Sequence, residues 1–206
     1  MNQTDKGIEI QKIAELYNTR YNNFGRNIKT VGWGNEKDQV LRFEMLLRGL
    51  EPQGKTILDI GCGLGDLVTY LYEKTNGDFN YIGIDIAETL VNDAKRKFTN
   101  SNIQFFTGDI FSMDSLSTVD ISVLSGALSF KTDGIESYAF KTMHKMFEIS
   151  NEGACLNFLT KYVDFELPKN QHYSPEVVFS KAKSFAKKVT LFHDYELYEF
   201  TVQLLK

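Results

Sequence analysis

Eleven residues constrain this chain more than any others. Ile57-Leu58-Asp59-Ile60-Gly61-Cys62-Gly63-Leu64-Gly65-Asp66-Leu67 is an apolar run that passes without a spacer into Gly-x-Gly-x-Gly and then into helical periodicity. Alternating glycines let a backbone approach a ligand closely, and the helix that follows offers its unpaired N–H groups. A turn of that kind belongs at the C-terminal end of the first strand of an open α/β sheet, where the ligand crevice lies.

The rest of the chain fits such a sheet. Short apolar runs at 56–60, 80–84 and 103–106 alternate with helical periodicity at 64–75 and 88–98, which predicts βαβ units and parallel strands. A buried strand at 119–124, a helix at 135–149 and a strand at 154–159 continue the pattern, and Ser174-Pro175 reads as an N-cap with proline opening a helix to about residue 185. Two closing strands, 188–193 and 198–205, are joined too tightly for a crossover and predict an antiparallel pair. Upstream, Ile10, Ile13, Leu16, Tyr17, Tyr21 and Phe24 keep helical spacing, and a second helix is expected over 36–50 with Asn35 as its cap. Without a linker or repeat, the expectation is one domain over 1–206, a helical N-terminal cap at 1–50 on a core sheet at 55–206. At 206 residues a sizeable core can be buried.

Two further acids stand at predicted strand ends. Asp85 closes Tyr81-Ile82-Gly83-Ile84-Asp85, where a carboxylate can take both hydroxyls of a ribose. Asp109, after Phe105-Phe106-Thr107-Gly108, can accept from an adenine amino group. Either could instead cap a neighbouring helix or turn. A dinucleotide turn would carry its third glycine where Asp66 stands, and an aspartate facing a pyrophosphate is repulsive, so an NAD-dependent oxidoreductase is the weaker reading.

Asp59-Ile60-Gly61-Cys62-Gly63-Leu64-Gly65, then Asp85, then Gly108-Asp109, resemble in order and spacing the class I S-adenosylmethionine-dependent methyltransferases. The resemblance implies a Rossmann-like α/β fold. Its seven strands would run in the order 3-2-1-4-5-7-6, strand 7 antiparallel, with helices on both faces and an N-terminal helical lid. It also implies S-adenosyl-L-methionine as cofactor. Gly61, Cys62, Gly63 and Gly65 would cradle its amino-acid part with Asp59 near the ammonium; Asp85 and Ile86 would hold the ribose, Asp109 and Ile110 the adenine, and Ser125 would lie under the methionine. The activity implied is methyl transfer by in-line displacement, with a binding protein of the same fold, lacking turnover, as the alternative.

Composition narrows the acceptor. Lys+Arg number 23 against 27 Asp+Glu, a net charge of −4, which gives no field for a polyanion, and Ser125-Gly126-Ala127-Leu128 stands where amino-methylating DNA enzymes carry their Pro-Pro signature. The expected acceptor is a small molecule or a carrier-bound metabolite, with no nucleic acid and no membrane; oligomeric state is left open. No apolar stretch could span a bilayer, and the first residues lack a basic and an apolar signal region, so the cytoplasm is expected. Cys62 and Cys155 lack metal-binding spacing, and no metal is expected. Gly49 to Thr56 spells a P-loop but follows a helix and opens a strand, the reverse of what phosphate binding needs.

Loops after the fourth and fifth strands should face the acceptor: Ser129, Phe130 and Lys131, then Thr160, Tyr162, Asp164, His172 and Tyr173. His172, titrating near neutrality, is the candidate general base, with Tyr162 beside it, although an ordinary loop histidine would look the same. Trp33 between Gly32 and Gly34 reads as a lid over the cofactor or a core anchor, and Arg42 as a group at the cofactor mouth or a solvated helix residue.

Overall fold

Residues 10–32, 34–113 and 116–206 are described by a computed structural model. Helices α1 (Ile10–Phe24) and α2 (Glu36–Leu46) precede strand β1 (Thr56–Ile60). The alternating part follows as α3 (Asp66–Thr75), β2 (Asn80–Asp85), α4 (Glu88–Lys97), β3 (Ile103–Thr107) and β4 (Val119–Leu124), with one 3-10 turn at Ile110–Ser112. The chain closes with α5 (Ile135–Ile149), β5 (Ser150–Leu159), α6 (Pro175–Lys183), β6 (Lys188–Phe192) and β7 (Glu199–Leu205).

The strands form a seven-stranded sheet in the order β3-β2-β1-β4-β5-β7-β6. β1 pairs in parallel with β2 and β4, and β7 runs antiparallel to both β5 and β6. Alternate residues of one strand therefore serve two cores. Ile57 packs with α2, α3 and α4 through Phe43, Leu46, Leu67, Leu71 and Val91. Leu58 and Ile60 pack on the other face with Met143 and Met146 of α5 and Ala182 of α6. The C-terminal ends of β1 and β2 share one register, Ile60 opposite Ile84, so their loops open on the same rim.

The caps hold as the sequence predicts: Asn35 accepts from the Asp38 amide at 2.9 Å, and Ser174 from Val177 at 3.3 Å. Two boundaries differ by four residues. α2 ends at Leu46, four residues short of the expectation, because Leu47 leaves helical geometry and Gly49 takes a positive φ of 77°. β5 starts at Ser150, straight out of α5, although Asn151-Glu152-Gly153 has a turn's composition. Gly153 is required there for space, since a Cβ would lie 2.9 Å from Leu205 Cδ2 on the paired strand. Lys55, of the P-loop spelling, pairs with Glu152 at the end of the sheet opposite the glycine turn.

Candidate active site

The turn after β1 is held by its neighbour strand. The amides of Gly61 and Cys62 both donate to Ile84 O, at 2.8 and 3.1 Å, and Gly63 N–H donates to Asp85 Oδ2 at 2.8 Å. Gly61, Gly63 and Gly65 have φ of 73°, 53° and 76°. Gly61 is also needed for closeness, because a Cβ would stand 2.4 Å from that of Ala127. Gly65 has a different reason to be glycine. It caps α3 against the rings of Phe105 and Phe98 and, unlike the other glycines of the turn, does not line the cavity.

A cavity of about 460 Å³ opens at this rim. Asp59, Gly61, Cys62, Gly63, Asp85, Ile86, Asp109, Ile110 and Ser125 all line it, as does Arg42 from α2. Asp59 is buried and accepts from Tyr81 OH at 2.7 Å. Loss of hydration raises its carboxyl to about 7 despite that bond, and the charges of Asp85 and Asp66 push the same way. Burial likewise raises Asp85, against the lowering effect of its amide donors, Ala87 foremost. Asp85 thus holds the turn that leads into α4, Ala87 N–H donating to Oδ1 at 2.8 Å, while it lines the cavity. Asp109 also does both: Oδ1 accepts from Phe111 N–H and Oδ2 from Tyr138 OH, each at 2.8 Å. A carboxylate has about four lone-pair sites, so acceptor capacity is left on both. Ser125 Oγ is buried and makes no hydrogen bond within the protein, a polar atom at the cavity wall that a ligand can satisfy.

The roof comes from the N-terminal helices. Ile10, Ile13, Tyr17 and Arg20, spaced three or four apart on α1, line the cavity together with Gln39, Arg42 and Phe43 of α2. Their spacing could have marked this face in the sequence, but nothing local says what it covers. Arg42 is buried and paired with Glu199 of β7; burial lowers its guanidinium and the Glu199 charge opposes that. Trp33 lies outside the described residues.

Neither candidate for proton transfer reaches the cavity. His172 is buried, its Nδ1 donating to Thr160 O at 2.7 Å, and the ring does not line the cavity. Tyr162 projects outward at 64% exposure, with its hydroxyl on Glu176. The bridge between Thr160 and Tyr173 is what turns this segment away. Of the loop residues expected at the acceptor, Ser129 and Phe130 line the cavity, and Lys131, Thr160, Asp164 and Tyr173 do not; Leu159, Leu167, Lys169 and Asn170 stand there instead. Among the described residues no cluster of His, Cys, Asp and Glu is placed to hold a metal, and no helix is long and apolar enough to cross a membrane.

A methyltransferase-domain family profile matches residues 51–189. The Mycobacterium tuberculosis protein Rv1506c, itself a methyltransferase by inference, is 30% identical over 159 residues, 73% of this chain and 93% of that protein. The tRNA (guanine-N(7)-)-methyltransferase of Clostridium acetobutylicum is 28% identical over 123 residues, 55% of this chain and 50% of that protein. Among solved structures, magnesium protoporphyrin IX methyltransferase from Synechocystis PCC 6803 with bound SAH superposes with a TM-score of 0.68 at 14% identity, over 95% of this chain and 99% of that one. The DhpI-SAH complex gives 0.67 at 14%, over 94% and 95%. At such identities the likeness is one of fold.

Proposed function

Since the chain belongs to the class I S-adenosylmethionine-dependent methyltransferases, we propose that its acceptor is a small molecule, free or carrier-bound, taken into the roofed cavity between α1 and the ends of β4 and β5. The observation that carries this reading is the roof itself. Ile13 is buried and lines the cavity together with Tyr17, so an acceptor must enter beneath α1 rather than lie across an open rim. A net charge of −4 adds nothing for a polyanion.

In this reading Asp85 takes the ribose hydroxyls beside Ile86, Asp109 with Ile110 faces the adenine, and Gly61, Cys62 and Gly63 cradle the amino-acid end, with Asp59 at its ammonium and Ser125 below it. The unpartnered Ser125 Oγ and the spare acceptor capacity of the carboxylates fit such a ligand. When bound, S-adenosylmethionine supplies a methyl group on a positively charged sulfur, an electrophile that needs no metal. The chain's contribution is alignment and exclusion of water. Leu128, Phe130, Leu159 and Leu167 offer an apolar wall, and holding two reactants in line supplies much of the rate. His172 and Tyr162 lie outside the cavity, so in this reading the chain's contribution rests on positioning.

Methyl-labelled S-adenosylmethionine incubated with enzyme and an extract of the source cells tests the acceptor. Label in the small-molecule fraction, or on cargo released from a carrier, supports the reading; label in RNA overturns it. The donor is tested separately, since S-adenosylhomocysteine should raise the melting temperature by binding the folded state.

A further inference from the structure

The cavity is lined by four carboxylates, Asp59, Asp66, Asp85 and Asp109. A donor that ends in an amino acid brings a fifth, and among so many like charges a cation beside it stabilises it most. Three basic side chains line the same cavity: Arg20, Arg42 and Lys169. Arg42 is already committed to Glu199. Lys169 stands exposed on the loop beyond β5.

Arg20 is different. It is half-buried and makes no ion pair among the described residues, and its one contact with a charged or aromatic group is the face of Tyr17, 5.4 Å from the guanidinium carbon. Its placement relative to the glycine turn follows from two close approaches. A Cβ on Gly32, which has a φ of +87°, would lie 3.0 Å from Arg20 Nη1, so glycine leaves the guanidinium its room. The residue before, Val31, reaches the turn, since a Cβ on Gly63 would lie 3.0 Å from Val31 Cγ1. Arg20 therefore rests on the very loop that rests on Gly63. The acids at that turn are engaged elsewhere: Asp85 accepts from the Gly63 and Ala87 amides, and Asp66 accepts from Gln39 at 3.1 Å and lies 3.8 Å from Arg26.

We propose that Arg20 is the counter-ion for the carboxylate at the amino-acid end of the methyl donor, and so distinguishes the intact donor from adenosine thioethers that lack that carboxylate. The inference rests on the donor assigned above. A guanidinium fits a carboxylate with two parallel N–H donors, which a lysine cannot copy.

Calorimetry on the full chain with two ligands tests it: S-adenosylhomocysteine, and S-adenosyl-3-thiopropylamine, the same thioether without the carboxylate. Arg20→Met, which keeps the apolar stem, should weaken S-adenosylhomocysteine by about tenfold or more, the scale of a charge-assisted pair, and leave the carboxylate-free ligand within about twofold. Arg20→Lys should fall between. Retained binding of the second ligand also shows that the variant is folded. Equal losses on both ligands would make Arg20 a structural residue and overturn the proposal, as would no loss on either. If wild type binds neither thioether, it is the donor assignment that fails.

Discussion

Asp85 Oδ2 accepts the Gly63 amide at 2.8 Å, so the last residue of β2 and the middle of the glycine turn after β1 form one hydrogen-bonded unit. The acid that would hold a ribose also fixes the loop that would cradle the amino acid. Asp85→Ala should therefore do two things. It should weaken S-adenosylhomocysteine by about 2 to 3 kcal/mol, the scale of lost hydrogen bonds to a charged group. It should also cost about 1 to 3 kcal/mol of stability, because the Gly63 and Ala87 amides lose their acceptor. Calorimetry and urea denaturation on the same protein separate the two, and an unchanged affinity would leave Asp85 with the turn alone.

Asp59 gives the fold a pH dependence of known sign. Its carboxyl, ordinarily 3.8, is raised to about 7 by burial. Below the lower value both folded and unfolded chains hold the proton. Between the two values the folded chain keeps a proton that the unfolded chain has released, so this contribution to stability is lost as the pH rises toward about 7. Asp59→Asn has no such proton. Measured by denaturation at a series of pH values, its stability relative to wild type should climb between about pH 4 and 7 and level off above that, and a constant difference would contradict the assignment. An ammonium brought next to Asp59 would drive the proton off, so S-adenosylhomocysteine binding near pH 6 should show an enthalpy that depends on the buffer.

Arg42 and Glu199 are 9% and 1% exposed, and they tie the roof helix α2 to β7. Truncating one partner leaves the other charged and buried, at a cost of about 3 to 5 kcal/mol. Glu199→Ala should show that loss in urea denaturation. Arg42→Met with Glu199→Leu should lose much less, since neither charge is stranded. A double variant as unstable as the single one would mean that packing, not charge, is what the pair supplies.

What could be read in the sequence is what is local. A strand running into glycines and a helix, and acids at strand ends, are contiguous patterns, and they locate Asp59, Gly61, Gly63, Asp85 and Asp109 at the cavity. Gly65 belongs to the same pattern and shares its positive φ, yet it is also kept small by Phe105, forty residues on, which no spacing reveals. The placing of His172 has a related cause: a histidine in a polar loop carries no mark of burial, and where Thr160 pairs with Tyr173 its ring donates to the Thr160 carbonyl. The spacing of α1 is legible as an amphipathic helix and the family resemblance implies a helical lid, but the residues that hold it in place are not. Its position depends on α4, more than sixty residues away along the chain.

That dependence supports the last prediction. α1 and the loop after it are fastened to α4 and to the glycine turn by side chains alone: Tyr21 OH and Arg26 Nε donate to Asp93 at 2.9 and 2.7 Å, Thr89 Oγ1 donates to Asn18 at 2.5 Å, and Arg26 Nη2 donates to Leu64 O at 3.0 Å. None of these is a sheet bond, and the two large cores contain no α1 residue. Removing residues 1–24 should thus leave the sheet folded, with its far-ultraviolet spectrum and a cooperative melt. The cavity, however, loses Ile13, Tyr17 and Arg20 from its wall and opens to water. Affinity for S-adenosylhomocysteine should fall by well over tenfold, and label transfer to the acceptor should fall further, since water then reaches the site. Asp93→Ala is the gentler version. It releases Tyr21 and Arg26 together and should reproduce a fraction of the loss, as a weaker affinity with the melting temperature of the sheet little changed. If the truncated chain binds S-adenosylhomocysteine as tightly as the full one, α1 does not cover the donor, and the enclosed acceptor site proposed here falls with it.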